Sequence, residues 1–433
     1  MKKLIKNAIL FDWELFLENK KVDILIENGV ISKISLNIES EGIEKEKVID
    51  LEGKYYVFPG FIDIHSHFRE PGFEYKEDIQ TGSYAAVHGG YTTCVAMPNT
   101  NPPISTLEIA SYVKSRSKII DIIPAISVTK DRLGKEPNNF EEFFNKGYYI
   151  FTDDGDYIKD PYILYIALKE SEKFGFIIME HCLDNDFFKN GIINFGQYSK
   201  IFGYNGLPDV GETSVVFRDL ELSLLASGYL HFTHVSVSKS VELILLYKEK
   251  NKNITFDVTP NHLIFNESIY QTKNGLYKVM PPLRNEENRK NLVKYLKENK
   301  IDIISTDHAP HASNEKNIDL SLALPGLTGL ETSFLSLYNY FVLKGEIKLI
   351  DLIRMISYNP AKIFDFDKKG SLKIGNKADL VIFDPNFDLQ IDRKFFFSKS
   401  LNSPFLNQKF KGKILKVFKD GEMIFNDGNF FRV

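Results

Sequence analysis

Between residues 57 and 364 the chain alternates short apolar runs with longer amphipathic stretches, and that alternation sets the expected fold. Runs at 61–65, 92–97, 121–127, 149–153, 176–181, 229–234, 254–259 and 303–307 read as eight strands. The stretches between them, such as 161–174, 212–226, 238–249 and 286–299, carry the spacing of helices. Eight strands alternating with helices predict an α/β fold, a parallel (β/α)8 TIM barrel, whose chemistry sits where the strands end.

Both ends of the chain follow another pattern. Residues 4–10, 22–27, 30–35 and 48–51 alternate with the period of strands, and Asn28-Gly29 between two of them is a hairpin turn signal. After the barrel, 380–383, 414–418 and 422–425 read likewise, the last two joined by Asp420-Gly421. Residues 1–56 and 366–433 are therefore expected to pair into one composite β-sandwich domain beside a barrel domain at 57–365. The basic, then apolar, start resembles a leader, but Asp12 and Glu14 interrupt it and no small-residue cleavage site follows, so it reads as a first strand.

The candidate chemistry clusters at strand ends. In PGFIDIHSHFREPG the spacing puts His65 and His67 on one face of an extended strand, with Arg69 just beyond, placed to hold a carboxylate. Two imidazoles beside a turn are often merely solvated, so the pair alone decides little. Downstream, His181 and His234 also end strands. By alternation, Leu230, Phe232 and His234 share one face and His231 the other, which predicts that His234 alone of the two histidines joins the barrel interior. Asp307 ends the eighth run. A two-metal site needs a bridging group, and the fourth run offers Asp153 and Asp154, between which parity does not choose. No lysine ends that run, Lys146 preceding it, so a carbamylated lysine has no residue to form on. His88, His231 and His262 read as structural, and His308 as structural or as a support behind the ligands.

Composition narrows the classes. A length of 433 residues suits a barrel plus an addition, and a net charge of -4 gives no footprint for nucleic acid or anionic membrane. No apolar run approaches the roughly 20 residues of a membrane helix. Two cysteines, Cys94 and Cys182, make no disulfide framework and fit a reducing, cytoplasmic compartment.

Taken together, these blocks with MPNTNPP, FTDDG, MEHC, LHFTHVS, PPLR, STDHAPH, PGLTGLE and GNKADLVIFDP resemble the amidohydrolase superfamily, and within it class I dihydroorotase. The resemblance implies reversible cyclisation of N-carbamoyl-L-aspartate to (S)-dihydroorotate in pyrimidine synthesis, by a zinc-activated hydroxide. It implies that His65 and His67 bind one zinc and His181 and His234 a second, that Asp153 bridges or caps them, and that Asp307 contacts the first zinc and acts as the catalytic base. It further implies that Arg69 and Asn99 hold the substrate carboxylate, while His311 and the backbone at Pro325 and Gly326 close over the ring. Met280 stands where the family has a substrate-contacting asparagine. A small-molecule substrate and a homodimer are expected, with aspartate transcarbamoylase as candidate partner. The alternatives are another cyclic amidohydrolase, an allantoinase or dihydropyrimidinase, or an inactive dihydroorotase-like scaffold for the transcarbamoylase.

Overall fold

The computed structural model describes residues 2–184, 186 and 191–431. Eight parallel strands, β1 (Phe61–Ser66), β2 (Tyr91–Ala96), β3 (Asp121–Pro124), β4 (Ile150–Phe151), β5 (Ile177–Glu180), β6 (Tyr229–Phe232), β7 (Ile254–Val258) and β8 (Ile303–Ile304), form a closed barrel. Ladders join β1 to β3 and β4 to β8; an Ile126–Phe151 bridge and a Ser66–His308 bridge close the two seams. The His67 amide donates to the His308 carbonyl at 2.8 Å across the second seam, beside the chemistry.

Two apolar layers define which way each strand residue points. Ile62, Ile64, Val95, Met97, Ile150, Ile177, Met179 and Ile303 fill the barrel, whose floor is plugged by Ala361, Phe364 and Phe366. Phe61, Cys94, Phe151, Ile178, Leu230, Phe232 and Phe256 face outward into the helix layer. From β3 onward the strands are shorter than the apolar runs predicted, because the last residues of those runs leave the ladder and become loop. Apart from His65, which lies near the end of β1, the metal-site residues therefore stand just past the strands, where backbone direction is free to change.

The helices form for local reasons. Pro161–Phe174 starts with the Asp160 side chain accepting from the Tyr162 amide, has Pro161 at its first position, and ends at Gly175 in the left-handed region (φ 85°). These signals bound the helix at the residues that the sequence pattern predicts. Val210–Ala226 and Ser238–Lys248 pack beside it on the barrel.

The chain ends share one nine-stranded sheet, in which Tyr56–Pro59 lies between Lys2–Asp12 and Leu380–Gln390. One face, with Phe11, Phe58, Val381 and Phe383, packs on the barrel layer. The other encloses its own core of Ile24, Ile26, Val57, Leu380, Ile382 and Phe418. The sheet curls over that core until its two predicted turns meet: a side chain at Gly29 would strike the Asp420 carbonyl at 2.8 Å. That is the small β-sandwich element built from both ends. Among the described residues, no helix is long and apolar enough to cross a membrane.

Candidate metal centre and substrate pocket

His65 lies near the end of β1, inside a register shift between Asp63 and Ser66, and His67 follows the strand; the bulge lets both imidazoles turn to the barrel mouth. His181 follows Met179 in the inward alternation of β5. His234 arrives differently from the expectation. Leu230 and Phe232 face outward and His231 faces inward, its ring 5.3 Å from Phe364 on the floor. Alternation along β6 would thus send His234 away from the site; it comes inside because its backbone takes φ 38° after the strand has ended. Arg69 (φ 62°) and Asp307 (φ 45°) are bent in the same way, and such non-glycine residues cost about 1–3 kcal/mol each and concentrate at functional sites.

The four imidazoles converge on Asp154. Its Oδ1 lies 3.2 Å from His65 Nε2, 3.4 Å from His181 Nδ1 and 3.5 Å from His234 Nε2, and its Oδ2 lies 3.5 Å from His67 Nε2. Asp153, the aspartate that the family resemblance put in this set, points the other way and accepts from the Thr129 amide and hydroxyl. The reason is parity referred to the layers: Ile150 is inside the barrel and Phe151 outside, so Asp154 continues inward and Asp153 outward. Asp307 completes the group, with Oδ1 3.3 Å from His67 Nε2 and 3.7 Å from His65 Nε2.

These donors fit a divalent cation. His65, His67 and Asp154 form one converging triad and Asp154, His181 and His234 another, all buried. Donors held tetrahedrally at ~2.0–2.1 Å from a zinc-sized ion stand ~3.3 Å apart, and the nitrogen–oxygen separations around Asp154 run from 3.2 to 3.5 Å. His65 Nε2 and Asp154 Oδ1, which face each other at the centre, are buried without a hydrogen-bond partner, an arrangement that is costly unless something else binds them.

Electrostatics agree. Burial pushes Asp154 up, but the surrounding imidazoles, His65 foremost, outweigh it and hold the carboxylate well below its usual range. Burial opposes charge on His65, yet Asp154 and then Asp307 raise it to about 10. Burial and Arg69 lower His67, and burial chiefly lowers His181, so these two imidazoles are neutral, as ligation requires, while a cation beside Asp154 would displace the proton that the carboxylates hold on His65. The Oδ1 of Asn99 is 2.9 Å from His67 Nδ1, which assigns the proton to Nδ1 and leaves Nε2 free to face the centre.

A residue that the sequence reasoning missed supports this geometry. Asp257, inward on β7, accepts from the His234 amide at 2.9 Å, from Ser305 Oγ, and pairs with His231 Nε2 at 3.0 Å. It ties β6 and β8 together and holds the left-handed backbone of His234. Asp257→Ala is expected to lower metal affinity by roughly 10–100-fold, with the His181–His234 pair losing more than the His65–His67 pair, as chelator competition would read.

Above the centre lies a pocket of about 300 Å³ lined by His67, Arg69, Asn99, Asp154, His181, His234, Met280, Asp307, His311, Pro325 and Gly326 together with Gly155, Ala309 and Leu324. The chain segments carrying the expected substrate contacts thus meet at one mouth. Arg69 Nε donates to the Pro310 carbonyl at 3.1 Å, and among the described residues no carboxylate pairs with the guanidinium. His311 donates from Nε2 to the Pro325 carbonyl at 2.8 Å; burial, with Arg69 and Lys76, pushes its pKa down to about 2, so it is neutral. Gly326 (φ 144°) passes so close to Ala309 that a Cβ would lie 2.6 Å from the Ala309 carbonyl oxygen. His88, His262 and His308 serve structure, against Glu331, Thr259 and the Gly329 amide.

Comparison with known proteins places this geometry in a family. The Amidohydrolase family model matches residues 56–424. A dihydroorotase of Aquifex aeolicus is 41% identical over 433 residues, covering 99% of this chain and 100% of that one. A dihydroorotase of Carboxydothermus hydrogenoformans is 39% identical, covering 91% of each chain. One from Staphylococcus aureus is 38% identical over 98% of this chain and 99% of its own. Among solved structures, L-hydantoinase (dihydropyrimidinase) from Arthrobacter aurescens superposes with a TM-score of 0.88 at 24% identity, covering 100% of this chain and 98% of that one. It shares the fold.

Proposed function

The chain belongs to the amidohydrolase family and, within it, to the dihydroorotases; from that premise we propose how its site interconverts N-carbamoyl-L-aspartate and (S)-dihydroorotate. The observation that carries the reading is Asp154 shared by two histidine pairs beneath an unpaired arginine. His65 and His67 would hold one zinc and His181 and His234 a second, with Asp154 between them. When bound, zinc polarises the amide carbonyl and lowers the pKa of water from about 15.7 toward 7.

The chain's own groups do the rest. Arg69 receives the substrate carboxylate: its planar fork matches two oxygens, and although burial pulls its pKa down to about 10 it stays charged at neutral pH. Asn99, bonded to His67, orients that imidazole and turns its amide toward the pocket. Burial pushes the Asp307 carboxyl up, but the adjacent His67 and the other imidazoles around it outweigh burial and hold it below its ordinary value, so it is ionised and ready to accept a proton. In the hydrolytic direction water attacks the ring amide carbon, Asp307 takes the water proton at Oδ1, the C–N bond breaks, and Asp307 returns the proton to the leaving nitrogen. The neutral His311 and the Pro325–Gly326 backbone wall the ring from solvent.

A neutral cyclic amide, the substrate class named for the hydantoinase relatives, would leave Arg69 desolvated and unpaired. Arg69→Met is therefore expected to raise KM for dihydroorotate by roughly 10–100-fold, the equivalent of about 1.5–3 kcal/mol for a charge-assisted contact, while turnover of neutral dihydrouracil stays low. Unchanged KM in steady-state assays would remove Arg69 from the carboxylate site. The free, buried Cys94 and Cys182 support a reducing, cytoplasmic setting.

A further inference from the structure

Behind the substrate pocket lies a second, separate cleft of about 190 Å³, whose lining includes Lys316, Arg393, Lys399, Asn317, Ser400 and the back of His311. No aspartate or glutamate lines it, in a chain whose net charge is -4. Lys316 is 1% exposed, and its ammonium donates to the Lys278 and Leu324 carbonyls, each at 2.9 Å. Among the described residues no carboxylate pairs with it. Burial, and then Lys278, push its pKa down to about 7. A buried cation without a counter-charge is costly, and the cleft beside it is where a counter-charge fits. Arg393 lines the same cleft and, among the described residues, has neither an ion pair nor a hydrogen bond. Lys399 is shared with Asp78, so the unbalanced charge comes from Lys316 and Arg393.

We propose that this cleft is a binding site for a phosphate group, with Lys316 and Arg393 as its cationic walls and the Asn317 amide as a neutral partner. Water takes about 30 Å³ per molecule in the liquid, so the cleft has room for roughly six waters or one tetrahedral phosphate, with any organic substituent left outside. A forked guanidinium and an ammonium on separate walls suit a group with three or four acceptor oxygens better than a planar carboxylate.

The cleft is mechanically joined to the substrate pocket. The carbonyls that Lys316 holds belong to the segments carrying Met280 and Pro325–Gly326, and the Gly326 amide donates to the same Lys278 carbonyl at 2.8 Å. Ser400 donates to the His311 carbonyl at 2.8 Å, and Asn402 to that of Gly326 at 2.8 Å. Occupancy therefore stiffens the wall that closes over the substrate ring, and its effect falls on KM.

The test is a calorimetric titration of the metal-loaded full chain with inorganic phosphate and, in parallel, with a nucleoside 5′-monophosphate. The expected result is one phosphate per chain outside the metal centre, weakened at least tenfold by Arg393→Ala and lost in Lys316→Met, with KM for dihydroorotate shifting severalfold on saturation in the wild type and not in Arg393→Ala. Should Lys316→Met not fold, Arg393→Ala, at an exposed position, decides alone. Tighter binding of the nucleotide marks a phosphate ester as the ligand, and equal binding marks free phosphate. Phosphate that binds Arg393→Ala as it binds the wild type sits at the metals and overturns the proposal, as does an absence of binding at millimolar concentration.

Discussion

Asp154→Ala loses metal from both histidine pairs and with it all measurable turnover, whereas Asp153→Ala keeps its metal. The contrast follows from two adjacent carboxylates facing opposite layers. Among the described residues, Asp154 is the one carboxylate within reach of all four imidazoles, at 3.2 to 3.5 Å. Without it, two cations at His65–His67 and His181–His234 would share no anion, and their mutual repulsion in a buried site would go unscreened. Asp153 instead bonds Thr129, so its loss costs stability of about 1–3 kcal/mol through the unsatisfied partners. Metal content after gel filtration, measured by plasma emission, separates the two variants. The reverse pattern, with metal lost from Asp153→Ala and kept by Asp154→Ala, would contradict the site geometry.

Asp307→Asn is expected to keep its metal and lose roughly 10²–10⁴-fold in kcat, the usual weight of a positioned general base. Asparagine preserves the shape of the side chain but cannot take a proton. Asp307 Oδ1 sits 3.3 Å from His67 Nε2 and faces the pocket, so it is near the metal donors without being shared by both pairs as Asp154 is. KM for dihydroorotate should stay close to that of the wild type, because the carboxylate contact belongs to Arg69. A variant that loses its metal along with its activity would make Asp307 a ligand first and a base second.

Much of the architecture was legible because it rests on local signals. The Asn28-Gly29 and Asp420-Gly421 turns, the capped helix Pro161–Phe174 and the eight apolar runs all translate directly into elements. What alternation could not supply was direction at the strand ends. On β6 the reading took Leu230 and Phe232 as interior; they pack against helices, and His231, assigned outside, lies inside the barrel with Asp257. His234 was placed correctly for the wrong reason, since a left-handed backbone, and not parity, brings it in. For Asp153 and Asp154 a signal did exist: Phe151 belongs with Phe140, Phe143 and Phe176 in an outer aromatic cluster, which makes Ile150 and its successors the inward set. Asp257 was invisible because nothing in a single strand distinguishes a buried acid that orients a neighbour from one that faces solvent.

The central claim is that this chain, loaded with zinc, interconverts dihydroorotate and N-carbamoyl-L-aspartate. Its most direct test is the absorbance of dihydroorotate on mixing with the zinc-loaded protein. The account predicts a decay to an equilibrium that is also reached from N-carbamoyl-L-aspartate. A zinc-loaded protein that leaves dihydroorotate unchanged while opening a neutral hydantoin or dihydrouracil would contradict it.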